Sequence, residues 1–170
     1  MTDFQVEDFV SCDIETLGLS VDSSIIQIGI CWYNEGEYKT TSELIKPDYS
    51  RSDGKTLDWW DEQTEQGNDV LKDAILLGKG TAKDMLSHIV LDLETTSFAP
   101  DTLKDLEWWF RGPQFDEAML RHQCGGDESV PWKYYNVRCQ RTLEKTVLDL
   151  GYTMNDILQG YQAEGIKHDA

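Results

Sequence analysis

An α/β fold built on one mixed sheet flanked by helices is what the sequence predicts, and three observations predict it. The chain opens with three strand-like runs separated by short turns. From residue 56 onward, apolar stripes at helical spacing alternate with further short strand-like runs. The 170 residues are 39% hydrophobic and the apolar positions are spread along the whole chain, which suits a single domain over 1–170 with one sizeable core.

The elements follow in order. Residues 8–15 (DFVSCDIE) alternate apolar and polar positions and are rich in strand-favouring types, so they read as a first strand. Ser24 to Tyr33 (SIIQIGICWY) is almost continuously apolar, as expected of a central strand covered on both faces. Asn34-Glu35-Gly36 reads as a hairpin turn into a third antiparallel strand from Glu37 to Ile45, closed by Lys46-Pro47. Thr56 can cap a helix running to about Gln66, on which Trp59, Trp60 and Gln63 share one face. Thr81 with Asp84 resembles a capping box, and Met85, Leu86, Ile89, Val90 and Leu93 behind it trace an apolar stripe. Leu106 to Phe110 reads as a strand, Phe115 to His122 as a short helix and Tyr134 to Val137 as another strand. Thr142 to Leu150 reads as a helix stopped by Gly151. Residues 47–55 and 95–105 read as polar loops, and 151–170 is the least legible stretch.

Composition narrows the function. No run approaches the 18 to 20 apolar residues that a membrane span needs, and the N-terminus is acidic where a secretory signal would be basic. A cytoplasmic protein with no membrane partner is expected. Cys12, Cys31, Cys124 and Cys139 show neither paired nor zinc-ligand spacing and read as buried free thiols. His88 and His122 read as solvated. The net charge of −17 speaks against gripping nucleic acid mainly by neutralising its phosphates, unless the acids gather at a metal site and over a solvated back face.

The segment Asp13-Ile14-Glu15-Thr16-Leu17-Gly18 carries the chemistry. Side chains two apart on a strand point to one face, so the carboxylates of Asp13 and Glu15 project together, about 7 Å apart at their backbones. Such a pair suits hard, oxygen-seeking cations such as Mg²⁺ or Mn²⁺. Asp116, following Phe115, falls at a helix start, a position that the helix dipole favours for an acid in any protein.

Four stretches carry a family resemblance: Asp13 to Gly18; Thr56-Leu57-Asp58-Trp59-Trp60-Asp61-Glu62-Gln63; Arg111 to Leu120 (RGPQFDEAML); and Pro131 to Thr142 (PWKYYNVRCQRT). In order and approximate spacing they resemble the four-acid 3′-5′ exonucleases, histidine subtype, and among them the phage exonuclease A group and related bacterial exoribonucleases. The likeness extends over residues 8 to 170 and implies a ribonuclease H-like fold in a protein of a bacterial or phage-infected cell. It also implies two divalent cations, Mg²⁺ or Mn²⁺, held by Asp13, Glu15 and Asp116. Thr16, Leu17, Trp59, Trp60 and Gln63 would border the strand, and the 3′ ends of single-stranded DNA or RNA would be the substrate. Ile166-Lys167-His168-Asp169-Ala170 resembles the start of the third family motif, which makes His168 the general base.

Two positions depart from the pattern. Cys139 stands where the resembling group has aspartate. The resemblance places a fourth acid five residues after His168, beyond Ala170, so the domain is expected to lack the last part of its C-terminal helix and to hold metal more weakly. The rival expectations are a catalytically degenerate relative, or an acidic module that binds a protein partner by mimicking nucleic-acid charge. A proofreading subunit tethered to a polymerase would keep the same chemistry.

Overall fold

The structure, a computed structural model, describes residues 8–99 and 101–153. Its centre is a five-stranded sheet in the order β3-β2-β1-β4-β5. The strands are β1 (Phe9–Thr16), β2 (Ile25–Asn34), β3 (Glu37–Leu44), β4 (Glu107–Phe110) and β5 (Val137–Cys139). The first three form the antiparallel meander, while β4 pairs parallel to β1 and β5 parallel to β4. Among the described residues five helices flank the sheet: α1 (Gly54–Glu65), α2 (Val70–Leu77), α3 (Ala82–Thr96), α4 (Asp116–Cys124) and α5 (Gln140–Asp149). This is the mixed α/β architecture, an antiparallel meander extended by parallel strands and flanked by helices, that the sequence predicts. No helix among the described residues is long and apolar enough to cross a membrane.

The β2–β3 hairpin closes through Glu35 and Gly36, both with positive φ (52° and 88°), as a two-residue turn matched to strand twist requires. One face of the sheet carries Val10, Cys12, Ile14, Ile28, Ile30, Trp32, Trp108 and Phe110, and all are buried against α3 and α4. The apolar stripe of α3 supplies Met85, Leu86, Ile89 and Leu93 to that core, and α4 supplies Met119, Leu120 and Cys124. A register shift between Glu15 and Thr16 leaves Ile26 without a partner across the pair, a bulge that turns the strand ends. Beyond it Leu17 and Ile26 enter a second, smaller core with Trp60, Leu71 and Ala74, which seats α1 and α2.

Several expectations need correction. The N-cap of α1 is Asp53, not Thr56: its carboxylate accepts both the Thr56 N–H and the Thr56 hydroxyl at 2.9 Å. A carboxylate three residues ahead satisfies the orphan donors better than Thr56, which sits inside the first turn. Residues 70–77, read as no element, form α2, whose eight residues are too few to show a helical period. Tyr134–Asn136 is a 3₁₀ turn closed by Asn136 N–H on Lys133 O, and only Val137–Cys139 extends the sheet. The second strand is not sealed on both faces, because Gln27, Gly29, Cys31 and Tyr33 are only half-buried. The capping box of α3 is as read, with Thr81 and Asp84 bonding reciprocally. All four cysteines are free, Cys12 and Cys124 buried, Cys31 and Cys139 half-buried.

Candidate active site

Strand β1 sends Val10, Cys12 and Ile14 into the core, so by alternation Asp13 and Glu15 project from the opposite face near the strand's end. Asp13 is exposed and Glu15 half-buried. The third acid arrives through sheet pairing. Strand β4 runs parallel to β1 with Phe110 opposite Cys12. Past Phe110 the chain turns tightly, Gly112 O accepting the N–H groups of both Phe115 and Asp116, and α4 starts at Asp116. This turn delivers the Asp116 carboxylate, 6% exposed, to the end of β1. Gly112 N–H donates to Asp116 Oδ2 at 3.3 Å.

Electrostatics register the convergence. Burial, and then the charge of Asp13, push the Asp116 carboxyl up to about 6, against the opposing pull of the Gly112 N–H and the Arg141 guanidinium. The buried Cys12 thiol is raised by burial first, then by Asp13, Asp116 and Cys124. Asp13, Asp116 and Cys12 therefore share one electrostatic neighbourhood, with Glu15 one strand repeat further along the same face. Glu117, beside Asp116, is engaged elsewhere: it accepts from the Trp132 indole at 2.8 Å and pairs with Arg121.

The donors suit a hard divalent cation in kind, being carboxylate oxygens alone, and a buried acid raised by a neighbouring acid is a site where a cation restores the charged form. Among the described residues no three acidic, histidine or cysteine side chains close on one point tightly enough to cage an ion.

The loop leaving β1 is held rigidly. Leu17 N–H bonds Ser24 O, Asp53 N–H bonds Leu17 O, and the Gln123 side chain donates to the carbonyls of Val21 and Ser23. His122, read as solvated, is exposed and meets Asp22 Oδ1 at 2.8 Å. Helix α4 therefore carries Asp116 at its start and clamps the loop after Asp13 and Glu15 at its end. Gly18 is required here, since a Cβ would stand 2.6 Å from Ser23 Oγ and 2.8 Å from Asp53 Oδ2.

The residues expected to border the strand divide into two groups. Leu17 and Trp60 are fully buried, and the Trp60 indole donates to Thr16 O at 2.9 Å, so both support the site from beneath and offer no surface to a ligand. Their side chains pack the second core, as the sequence favours for at least one of the two tryptophans. Thr16 is also buried, its hydroxyl donating to Gly18 O at 2.9 Å. Trp59 is 45% exposed, edge-on to Trp60, and Gln63 is half-buried. His168 lies outside the described residues. Two residues escaped the sequence reading. Asp53 carries the Asp-x-x-Thr capping spacing that could have revealed it. Leu19, 79% exposed in the loop after the acidic strand, carries no sequence signal distinguishing it from Leu17.

A family model described as the 3′-5′ exoribonuclease Rv2179c-like domain matches residues 8–170. No curated protein matches the chain.

Proposed function

Because the chain belongs to the family of 3′-5′ exoribonuclease Rv2179c-like domains, we propose that it removes nucleotides one at a time from the 3′ end of single-stranded nucleic acid, releasing nucleoside 5′-monophosphates. RNA is the substrate that the family's description names, and single-stranded DNA is the comparison. The observation that supports the reading is a buried Asp116 at the start of α4 whose carboxyl is raised by burial and by the charge of Asp13 on β1.

Asp13, Glu15 and Asp116 would hold two divalent cations, Mg²⁺ or Mn²⁺, which when bound lower the pKa of an attacking water and stabilise the departing 3′ oxygen. The chain's own groups supply the rest. Asp116 must be ionised to serve, and a bound cation would favour that charged form against the burial and the Asp13 charge that raise its pKa. His168 takes the proton of the attacking water. The exposed ring of Trp59 offers a stacking surface for a base, and Gln63 on the same helix offers an amide to the strand. Membership of the histidine subtype of four-acid enzymes, and likeness to the phage exonuclease A group, are part of the proposal.

One observation favours a second reading, a non-catalytic acidic module: the described acids do not by themselves complete a cation cage in a chain of charge −17. One experiment separates the two. A 5′-labelled single-stranded RNA is incubated with the protein in Mg²⁺ or Mn²⁺, beside Asp13→Ala, and Mn²⁺ binding is titrated in parallel. A ladder shortening from the 3′ end, lost in Asp13→Ala together with Mn²⁺ binding, is expected. A ladder that persists in the variant, or no cleavage and no Mn²⁺ uptake by the unaltered protein, defeats the proposal.

A further inference from the structure

We infer that Arg141, which has no role assigned so far, is a phosphate-binding residue of the substrate site, its guanidinium set across Gly112 from the Asp116 carboxylate to take a phosphate group of the strand. The inference rests on the nuclease reading above and deepens it.

Sheet register brings the residue there. Strands β4 and β5 run parallel with Phe110 opposite Cys139, and Gly112 and Arg141 each lie two residues beyond that pair. Both chains leave the sheet at the same edge: one turns at Gly112 toward Asp116, while the other enters α5 at Gln140. Arg141 Nη1 stands 3.7 Å from where a Cβ on Gly112 would be, so the bare glycine backbone leaves the guanidinium beside the turn. The same Gly112 donates its N–H to Asp116 Oδ2. The positive charge of Arg141 is felt at Asp116 and draws its carboxyl down against burial.

What Arg141 does not do is equally informative. Several basic side chains are matched, Arg138 with Glu107, Arg121 with Glu117 and Asp127, Lys133 with Asp105, and Lys145 with Asp149, whereas Arg111 beside the Gly112 turn, like Arg141, has no carboxylate within 4.0 Å among the described residues. Arg141 is exposed and comes within 4.0 Å of no carboxylate among the described residues. With 32 acids to 15 basic residues, acidic partners are plentiful, so an exposed guanidinium beside the Gly112 turn, whose charge reaches Asp116 without a bond to it, is placed to bond an incoming anion. Its planar fork of donors matches two phosphate oxygens at once, which an ammonium does not. The acids of this edge repel a polyanion, and a fixed cation next to them offsets that repulsion at the reacting end. The phosphate is either an internucleotide linkage of the bound strand or the 5′-phosphate of the released nucleotide.

The test reads binding and cleavage separately. Anisotropy of a labelled single-stranded RNA is measured in Ca²⁺ over a range of salt for the full chain, Arg141→Ala and Arg141→Lys, and cleavage is followed in Mg²⁺. Arg141→Ala is expected to weaken binding about tenfold or more, as loss of a charge-assisted bidentate bond does. It should also lower the slope of log affinity against log salt by about 0.7, the value of one phosphate on a single strand. Arg141→Lys should restore the slope but not the affinity. RNAs carrying one neutral methylphosphonate at each 3′-proximal linkage in turn identify the source. A linkage whose neutralisation weakens the unaltered protein as much as Arg141→Ala, and leaves the variant unchanged, is the contacted one. If instead no linkage stands out while inhibition by adenosine 5′-monophosphate weakens in Arg141→Ala, the product phosphate is held. An unaltered protein that cleaves RNA while Arg141→Ala matches it in affinity, salt slope and product inhibition overturns this inference alone. An unaltered protein that neither binds nor cleaves RNA overturns the nuclease reading and this inference with it.

Discussion

Replacing Asp116 with Asn should stabilise the metal-free protein at neutral pH, which inverts the usual effect of altering a buried polar residue. Folding raises the Asp116 pKa from 3.8 to about 6, through burial first and the charge of Asp13 second. Below pH 3.8 the carboxyl is protonated in both states and costs nothing. Between 3.8 and 6 the unfolded chain gives up its proton while the folded chain keeps it, so stability falls as pH rises; above 6 the whole cost is present. At 1.36 kcal/mol for each pH unit between the two values, the cost approaches about 3 kcal/mol as an upper figure. For a domain of this size that corresponds to roughly 6–12 °C in melting temperature. Asn keeps the shape and can still accept the Gly112 N–H, but carries no charge against Asp13. Thermal melts in EDTA should therefore show the two proteins converging near pH 4 and Asp116→Asn melting higher at pH 7. Adding Mn²⁺ at pH 7 should raise the unaltered protein by mass action and leave the variant nearly unmoved. An Asn variant that melts at or below the unaltered protein at pH 7, with both responding equally to Mn²⁺, would refute the electrostatic account of the site.

The two tryptophans of α1 should separate stability from binding. Trp60→Ala removes a fully buried ring and its bond to Thr16 O, and should cost about 3–5 kcal/mol in a urea melt. Trp59→Ala, at a half-exposed ring, should change the melt little and weaken single-strand binding by about 1–3 kcal/mol if a base stacks there. Asp84→Ala breaks the reciprocal cap of α3, an exposed cap whose hydrogen bonds join Thr81 and Asp84 to each other, and should cost about 1 kcal/mol in the same melt while leaving cleavage untouched.

Much of the fold was legible because its signals are local. The alternation in 8–15, the Asn34-Glu35-Gly36 turn and the Thr81/Asp84 box each sit within a few residues, and the structure has the corresponding strand, turn and cap. Helix α2 was illegible because eight residues, six of them apolar, show no period. The cap of α1 was assigned to Thr56 because the apolar pattern begins beside it, whereas the competition for the first N–H groups is won by Asp53. Among Leu17, Leu19, Trp59 and Trp60, sequence offered no means of telling which ring or side chain faces solvent. That choice is made by the bulge near Thr16 and by the second core it creates.

By itself the sequence determined that Asp13 and Glu15 share one face of a strand, since side-chain alternation is a property of the backbone that needs no tertiary contact. It determined as well that the chain is acidic and builds helices after its meander. Only the tertiary structure decided that Asp116 comes under the charge of Asp13 and that Arg141 stands beside the Gly112 turn that leads to Asp116. Those meetings depend on β4 and β5 joining the sheet in parallel at one register, and that register is selected by how Trp108, Phe110 and Trp132 fill the space under α3 and α4, a sum over contacts from the whole chain.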